Sequence, residues 1–284
     1  MRPGARVGRD LPSVASSALA GVVVAGGVLD AAVLVPLGVA LGLTCVAGAL
    51  LHAAPMSERA GSPPPAGGGG VARVGRVERG ALAIGMLAGA VAALAVRAIS
   101  IQTPAALGAG LMLVASVLAA DLWLRGARAR PLAIGVGRAL VYLTAGGAVS
   151  AHAPGALWAA AAAIGCYAGG AALAAEKKHR TPARRASGIV LLTVPLAYGP
   201  LLVHDVAGAI FYGLLLAWVL FTSVDAVLRR RASLARYLAG ASLFDALVIA
   251  GQGAPKIAVA AACGFVLSLA LSGAIASALG QRRR

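Results

Sequence analysis

VAGAIFYGLLLAWVLFTSVDAVLRRR, residues 206–231, decides the fold. The apolar run from Val206 to Val227 contains one acid, Asp225, and ends in Arg229, Arg230 and Arg231. About 20 predominantly apolar residues are what a helix needs to cross the hydrocarbon of a bilayer, and arginines at one end anchor it at the cytoplasmic face. The same grammar extends in both directions along the chain. Apolar segments fall at about 13–29, 33–53, 80–99, 103–124, 132–151, 155–175, 187–203, 206–227, 233–250 and 255–279, with edges uncertain by several residues. The expectation is an all-α, polytopic integral membrane bundle of nine to ten transmembrane helices. The ninth segment decides the count, because Arg236, Ser242 and Asp245 make it the least apolar. It is expected to cross, to lie in the interface or to re-enter.

Positive charge falls in alternate gaps between these segments. Of the 25 Lys and Arg residues, 23 lie at the N-terminus, in the second, fourth, sixth and eighth gaps and their flanks, or at the C-terminus. Only Arg97 and Lys256 lie on the other side. That asymmetry predicts a cytoplasmic N-terminus in what reads as a bacterial cytoplasmic membrane protein. It also accounts for the net charge of +16 as an orientation signal, so no nucleic-acid partner is expected. A chain that is 60% hydrophobic and 12% charged has more apolar surface than a water-soluble fold of 284 residues can hide, and the bilayer is its natural partner. One domain spanning 1–284 is expected. Cys45, Cys166 and Cys263 all lie in apolar runs without metal or disulfide spacing, so buried free thiols are expected. Arg2, Arg6 and Arg9 before an apolar run have the look of a signal peptide, but further spans follow at once and the stretch reads as a retained first helix.

Two cytoplasmic loops stand out. Residues 54–79, with Pro63–Pro65 and Gly67–Gly70, read as an irregular cap loop. The glycine run lacks the Gly-Lys-Ser/Thr of a phosphate-binding loop. Residues 176–186, EKKHRTPARRA, form a basic cap loop. Hydrolytic chemistry finds no footing, because no nucleophile elbow and no paired carboxylates are present. The four histidines lie in separate regions and read as surface or interfacial side chains.

Polar residues gather instead at the expected cytoplasmic ends of helices. His52, Ser57, Glu58 and Arg59 follow the second segment. Asp121, Arg125, Arg128 and Arg130 follow the fourth, Arg138 and Tyr142 open the fifth, and Glu176, Lys177, Lys178 and His179 follow the sixth. Three such mouths on one face could converge on an anionic headgroup, with arginine suited to bidentate and lysine to point-charge recognition of a diphosphate. The alternative is that these are topology charges touching lipid phosphates. Arg138 lies a turn or two inside its segment, where an ionisable group must snorkel, pair or face a polar cavity. Asp121 and Asp245 pose the same question. Asp121 and Arg125 also have the i,i+4 spacing of a helical ion pair.

With these residues in place, the chain resembles the UbiA superfamily of intramembrane prenyltransferases, closest to the UbiA-like branch of ebo-type clusters. Leu11-Pro12-Ser13 leading into Ala20-Gly21 is similar to the opening of the first family helix. Asp121 to Arg125, then Pro131 through Gly135 and Arg138 to Tyr142, is similar to the fourth loop and fifth helix. Gly169 to Glu176 with its basic loop resembles the end of the sixth helix, and Leu243-Phe244-Asp245-Ala246 a late element of the ebo-type branch. The resemblance implies a bundle with a lipid-open tunnel and two aspartate-rich motifs holding Mg²⁺ on a prenyl diphosphate, whose prenyl group passes to an acceptor. It assigns Glu58 and Glu176 as the catalytic, metal-binding acids. Arg125, Arg128, Arg138, Tyr142, Lys177 and Lys178 become the substrate-binding set. An isoprenoid lipid or prenyl diphosphate is the implied partner.

Both motifs depart from the family pattern. Around Leu51–Glu58 the asparagine position holds His52, the aspartate positions hold Ala53 and a residue near Met56, and only Glu58 is acidic. At Ala175–Arg180 only Glu176 is acidic, and the Ser62–Pro65 stretch lacks the family's loop arginines. Two readings follow: a prenyltransferase with a depleted metal site, in which Lys177 and Lys178 replace some Mg²⁺ charge, or a pseudoenzyme that binds an isoprenoid without turnover. Two further readings are a small-molecule transporter built on Arg138 and Asp245, and a scaffold holding soluble biosynthetic enzymes at its basic face.

Overall fold

The computed structural model describes residues 3–27, 29–53, 69–100, 104–119, 129–150, 152, 154–176, 181–228 and 234–281. Every regular element among them is helical: α1 Pro3–Val24, α2 Ala31–Ala53, α3 Gly69–Ser100, α4 Ala105–Leu118, α5 Arg130–Gly147 and α6 Gly155–Ala175 come first. Next come α7 Pro182–Tyr198, continued by a 3-10 turn over Gly199–Leu202, and α8 Val206–Leu228. The chain closes with α9 Leu234–Ala239, α10 Ala241–Gly251 and α11 Pro255–Gln281.

Local chemistry explains the boundaries. Two helices end in the same glycine motif: Gly26 (φ 74°) closes α1 and Gly253 (φ 76°) closes α10. In each, the amide after the glycine reaches back five residues and the glycine amide reaches back three, as in Gly27 N to Val22 O (2.9 Å) and Gly253 N to Ala250 O (2.8 Å). A left-handed residue is required there, and glycine adopts it without a Cβ penalty. Thr181 starts α7, its hydroxyl accepting from the Arg184 amide at 3.3 Å with Pro182 in the first turn. Helix α3 begins at Gly69 and α7 at Pro182, so residues 69–79 of the expected irregular loop and 182–186 of the expected basic loop are helical. Residues 54–68 and 177–180 lie outside the described residues.

Each of the ten apolar segments of the sequence corresponds to a helix or, for the ninth, to the pair α9 and α10. Only seven are long and apolar enough to cross a membrane by that measure: α2, α3, α6, α7 with its 3-10 turn, α8, α9 with α10, and α11. The expected nine or ten therefore exceeds what length and composition support among the described residues. Among the described residues α4 runs over 14 residues, Ala105–Leu118. The apolar part of α1 is similarly short, Leu11–Val24. Helix α5 is diluted by Arg130, Arg138, Tyr142 and Thr144.

Two cores share the same central helices. One joins α2, α3 and α4 to α1 and α5 through Val22, Leu37, Leu94, Leu113 and Leu140. The other joins α6 to α11 to the same pair through Val24, Tyr142, Ile164, Leu215 and Leu247. The ninth segment is not peripheral: every residue of α10 from Ala241 to Ala250 is buried. Its polar residues are tolerated because protein, not lipid, surrounds them. The break before α10 falls at Gly240, where a Cβ would strike the Tyr167 hydroxyl and the Trp218 ring. Tyr167 donates to the carbonyl of Tyr237 at 2.7 Å, bonding a carbonyl in the last turn of α9. Cys45 and Cys166 are only half-buried and Cys263 is exposed, contrary to the expectation of three buried thiols.

Candidate functional site

Most of the buried hydrogen-bonding side chains of the bundle meet in one place, where α1, α5 and α10 touch. Helix α1 brings Ser13, Ser16 and Ser17, which the i, i+3, i+4 spacing sets on one face. Helix α5 brings Arg138 and Tyr142, one turn apart, and α10 brings Ser242 and Asp245 with i, i+3 spacing. The close approach of α1 to α5 depends on Gly21, where a Cβ would lie 2.6 Å from the Tyr142 carbonyl oxygen.

At the centre stands Asp245, with no exposed surface. Its two oxygens accept from three hydroxyls: Tyr142 at Oδ1 (2.5 Å), and Ser16 (2.6 Å) and Ser17 (2.9 Å) at Oδ2. Ser242 Oγ lies 2.9 Å from Ser16 Oγ and extends the network. Full hydrogen bonding is what a carboxylate out of water requires, and hydroxyls here do the work usually given to a cation.

Arg138, 7% exposed, is treated differently. Of the five N–H donors of a guanidinium, one bond is made among the described residues, from Nη2 to Ser13 Oγ at 2.6 Å. No ion pair joins Arg138 to Asp245, although they are near enough for their charges to act on one another. Arg138 keeps a small accessible surface. The cluster is thus neutral overall but divided. Its carboxylate accepts from three hydroxyls, and its guanidinium makes one bond among the described residues, to a neutral oxygen.

The other sequence-derived site residues lie elsewhere. Glu176 caps the C-terminus of α6 and pairs with Arg184 of α7, Oε2 to Nη2 at 3.0 Å. Glu58, Arg125, Arg128, Lys177 and Lys178 lie outside the described residues. Among the described residues no group of three or more His, Cys, Asp and Glu side chains is placed to hold a metal. Glu176, the one described acid of the implied Mg²⁺ set, already has an arginine on its carboxylate. A Mg²⁺ site needs several hard oxygens, and the other implied acid, Glu58, lies outside the described residues. Of the substrate-binding set, Arg138 and Tyr142 come together, in the bundle interior and not at a helix mouth.

The four serines were missed by sequence reasoning. The available signal was the hydroxyl stripe Ser13, Ser16, Ser17 in an otherwise apolar run, paired with Ser242 ahead of an intramembrane acid. No family model matches the chain, and neither a curated protein nor a solved structure matches it.

Proposed function

We propose that the chain is a UbiA-like integral protein of a bacterial cytoplasmic membrane, N-terminus inside, that binds an isoprenoid lipid by its anionic head. Nine to ten crossings belong to that reading, with α1, α4 and α5 spanning as shorter or less apolar members of a packed bundle. The observation that carries it is Arg138: a guanidinium that is buried but retains a little accessible surface, with one hydrogen bond among the described residues, to a neutral hydroxyl. Such a group favours a phosphate or diphosphate oxygen, which accepts two parallel N–H bonds and supplies the missing charge. The isoprenoid identity of the ligand rests on the resemblance of Pro131–Tyr142 and its neighbours to the prenyltransferase family. Transfer of the prenyl group to an acceptor is the family activity.

The test is thermal stabilisation of the detergent-purified protein by geranylgeranyl diphosphate, with and without Mg²⁺, against geranylgeraniol. At ~100 times its dissociation constant a ligand stabilises by about 2.7 kcal/mol. Stabilisation by the diphosphate but not the alcohol is the expected result. Equal effects of both would leave Arg138 without an anion.

One feature favours a second reading, a transporter: a helix broken at Gly240 carries a buried acid five residues later. Interrupted helices beside intramembrane carboxylates are a transporter device. Ligand-driven flux into proteoliposomes, in place of simple binding, would select it.

A further inference from the structure

The proton inventory of the Asp245 cluster admits two complete hydrogen-bonding patterns. In the first, Ser16, Ser17 and Tyr142 all donate to the carboxylate. But Ser16 Oγ and Ser17 Oγ each also lie 3.0 Å from the carbonyl oxygen of Ser13, one turn back in α1. Each hydroxyl therefore has a second acceptor within reach. If Asp245 takes a proton on Oδ2, it donates to one of these serines, and that serine turns its own hydrogen onto the Ser13 carbonyl. No heavy atom moves and no buried donor is orphaned, because a hydroxyl both donates and accepts and its hydrogen rotates freely. A fixed donor in the place of the serines, an amide or a lysine, could not do this.

The same Ser13 residue holds Arg138, through its side chain. With Asp245 ionised, the two charges balance within the cluster. An anion arriving on Arg138 leaves the Asp245 charge uncompensated in a low-dielectric interior, where like charges repel strongly. Among the described residues nothing else facing Asp245 offers relief, and Arg236 of α9 lies over the Phe221 ring of α8. Helix α1 presents hydroxyls, and α5 presents Arg138 and Tyr142. Tyr167 of α6 bonds the Tyr237 backbone, and the Tyr237 hydroxyl faces Asp225 of α8 at 3.4 Å. Tyr198 of α7 packs beside Phe244, and the one charged side chain of α11 among its described residues is Lys256, exposed in its first turn.

We propose that Asp245 is a proton-binding site linked to the anion site at Arg138, so that the phosphate-type head of the ligand and one proton enter the bundle together. This rests on the Arg138 reading above. The proton comes from solvent and stays on Asp245 Oδ2 while the anion is bound; no covalent bond is made or broken in the ligand.

The experiment measures geranylgeranyl diphosphate binding by calorimetry across the acid-to-neutral range, in buffers of different ionisation enthalpy, for the intact protein and Asp245→Asn. The ionisation of the diphosphate itself is common to both proteins, so the difference between them belongs to Asp245. The expected result is an affinity that falls up to about tenfold more per pH unit in the intact protein, with about one extra proton taken up. Equal slopes and equal proton counts overturn the linkage while leaving the anion site standing. No binding by the intact protein at any pH overturns the anion site and the linkage with it. Should Asp245→Asn fail to fold, the infrared difference spectrum of the intact protein decides. A carboxylic-acid C=O band that grows with ligand supports the proposal, and its absence at every pH overturns it.

Discussion

Arg138 and Asp245 show how one residue's needs shape those around it. A buried charge must be bonded or neutralised, and the two members of this cluster solve that separately, one with three hydroxyls and one with a single serine. Arg138→Ala is expected to weaken geranylgeranyl diphosphate binding about 10–100-fold, the range of a hydrogen-bonded charge at ~1.5–3 kcal/mol. Arg283→Ala is the control and should leave the dissociation constant unchanged. Arg138→Lys should fall between, since it keeps the charge but loses the fork. Tyr142→Phe removes the donor to Asp245 Oδ1 and should destabilise the detergent-solubilised protein by roughly 1–3 kcal/mol, read as a lower midpoint in denaturant. At this scale the sequence was partly legible. Arg138 and Tyr142 were visible as polar residues on an apolar helix. Their partners were not, because the serines blend into small-residue helices and which helices meet is decided by packing.

Glycine governs the middle scale. A Cβ on Gly135 of α5 would stand 2.6 Å from the Gly165 carbonyl oxygen of α6, and one on Gly170 of α6 would stand 2.7 Å from the Gly188 carbonyl oxygen of α7. Backbones touch along this seam, the packing expected when no hydrophobic effect draws helices together and close van der Waals contact must. Gly135→Ala and Gly170→Ala should each lower the apparent melting temperature of the purified protein by several degrees. Gly213→Ala in α8, where an added Cβ meets nothing within 4 Å, should leave it unchanged or raise it slightly. The composition announced small-residue packing in general, but not which glycines face each other. The ninth segment was the one the sequence left open between crossing, interface and re-entry. Arg236, Ser242 and Asp245 make it the least apolar segment, and the structure buries α10 in protein from Ala241 to Ala250.

At the scale of the molecule, the alternation of charge fixes an expected orientation that geometry alone leaves open. With the native cysteines replaced, a cysteine at Gly68 should react with a membrane-impermeant thiol reagent in inside-out vesicles and not in intact cells. Labelling from the periplasmic side would invert the topology and put Arg138 on the far half of the bilayer. The ten apolar segments were readable because each is a local property of the chain. The number able to span was less so, since α4 and α5 rely on neighbours where α8 relies on itself.

The glycine seam also divides the molecule mechanically. Helices α5, α6 and α7 are joined backbone to backbone, and α1 is joined to α5 in the same way at Gly21. Helix α8 has no such tie. It meets α10 through a stripe of side chains, Phe211, Leu215, Val219 and Thr222, and turns Ile210, Leu214, Leu220 and Val224 outward. Helix α8 is thus held by interlocking side chains, where the helices of the seam are held backbone to backbone.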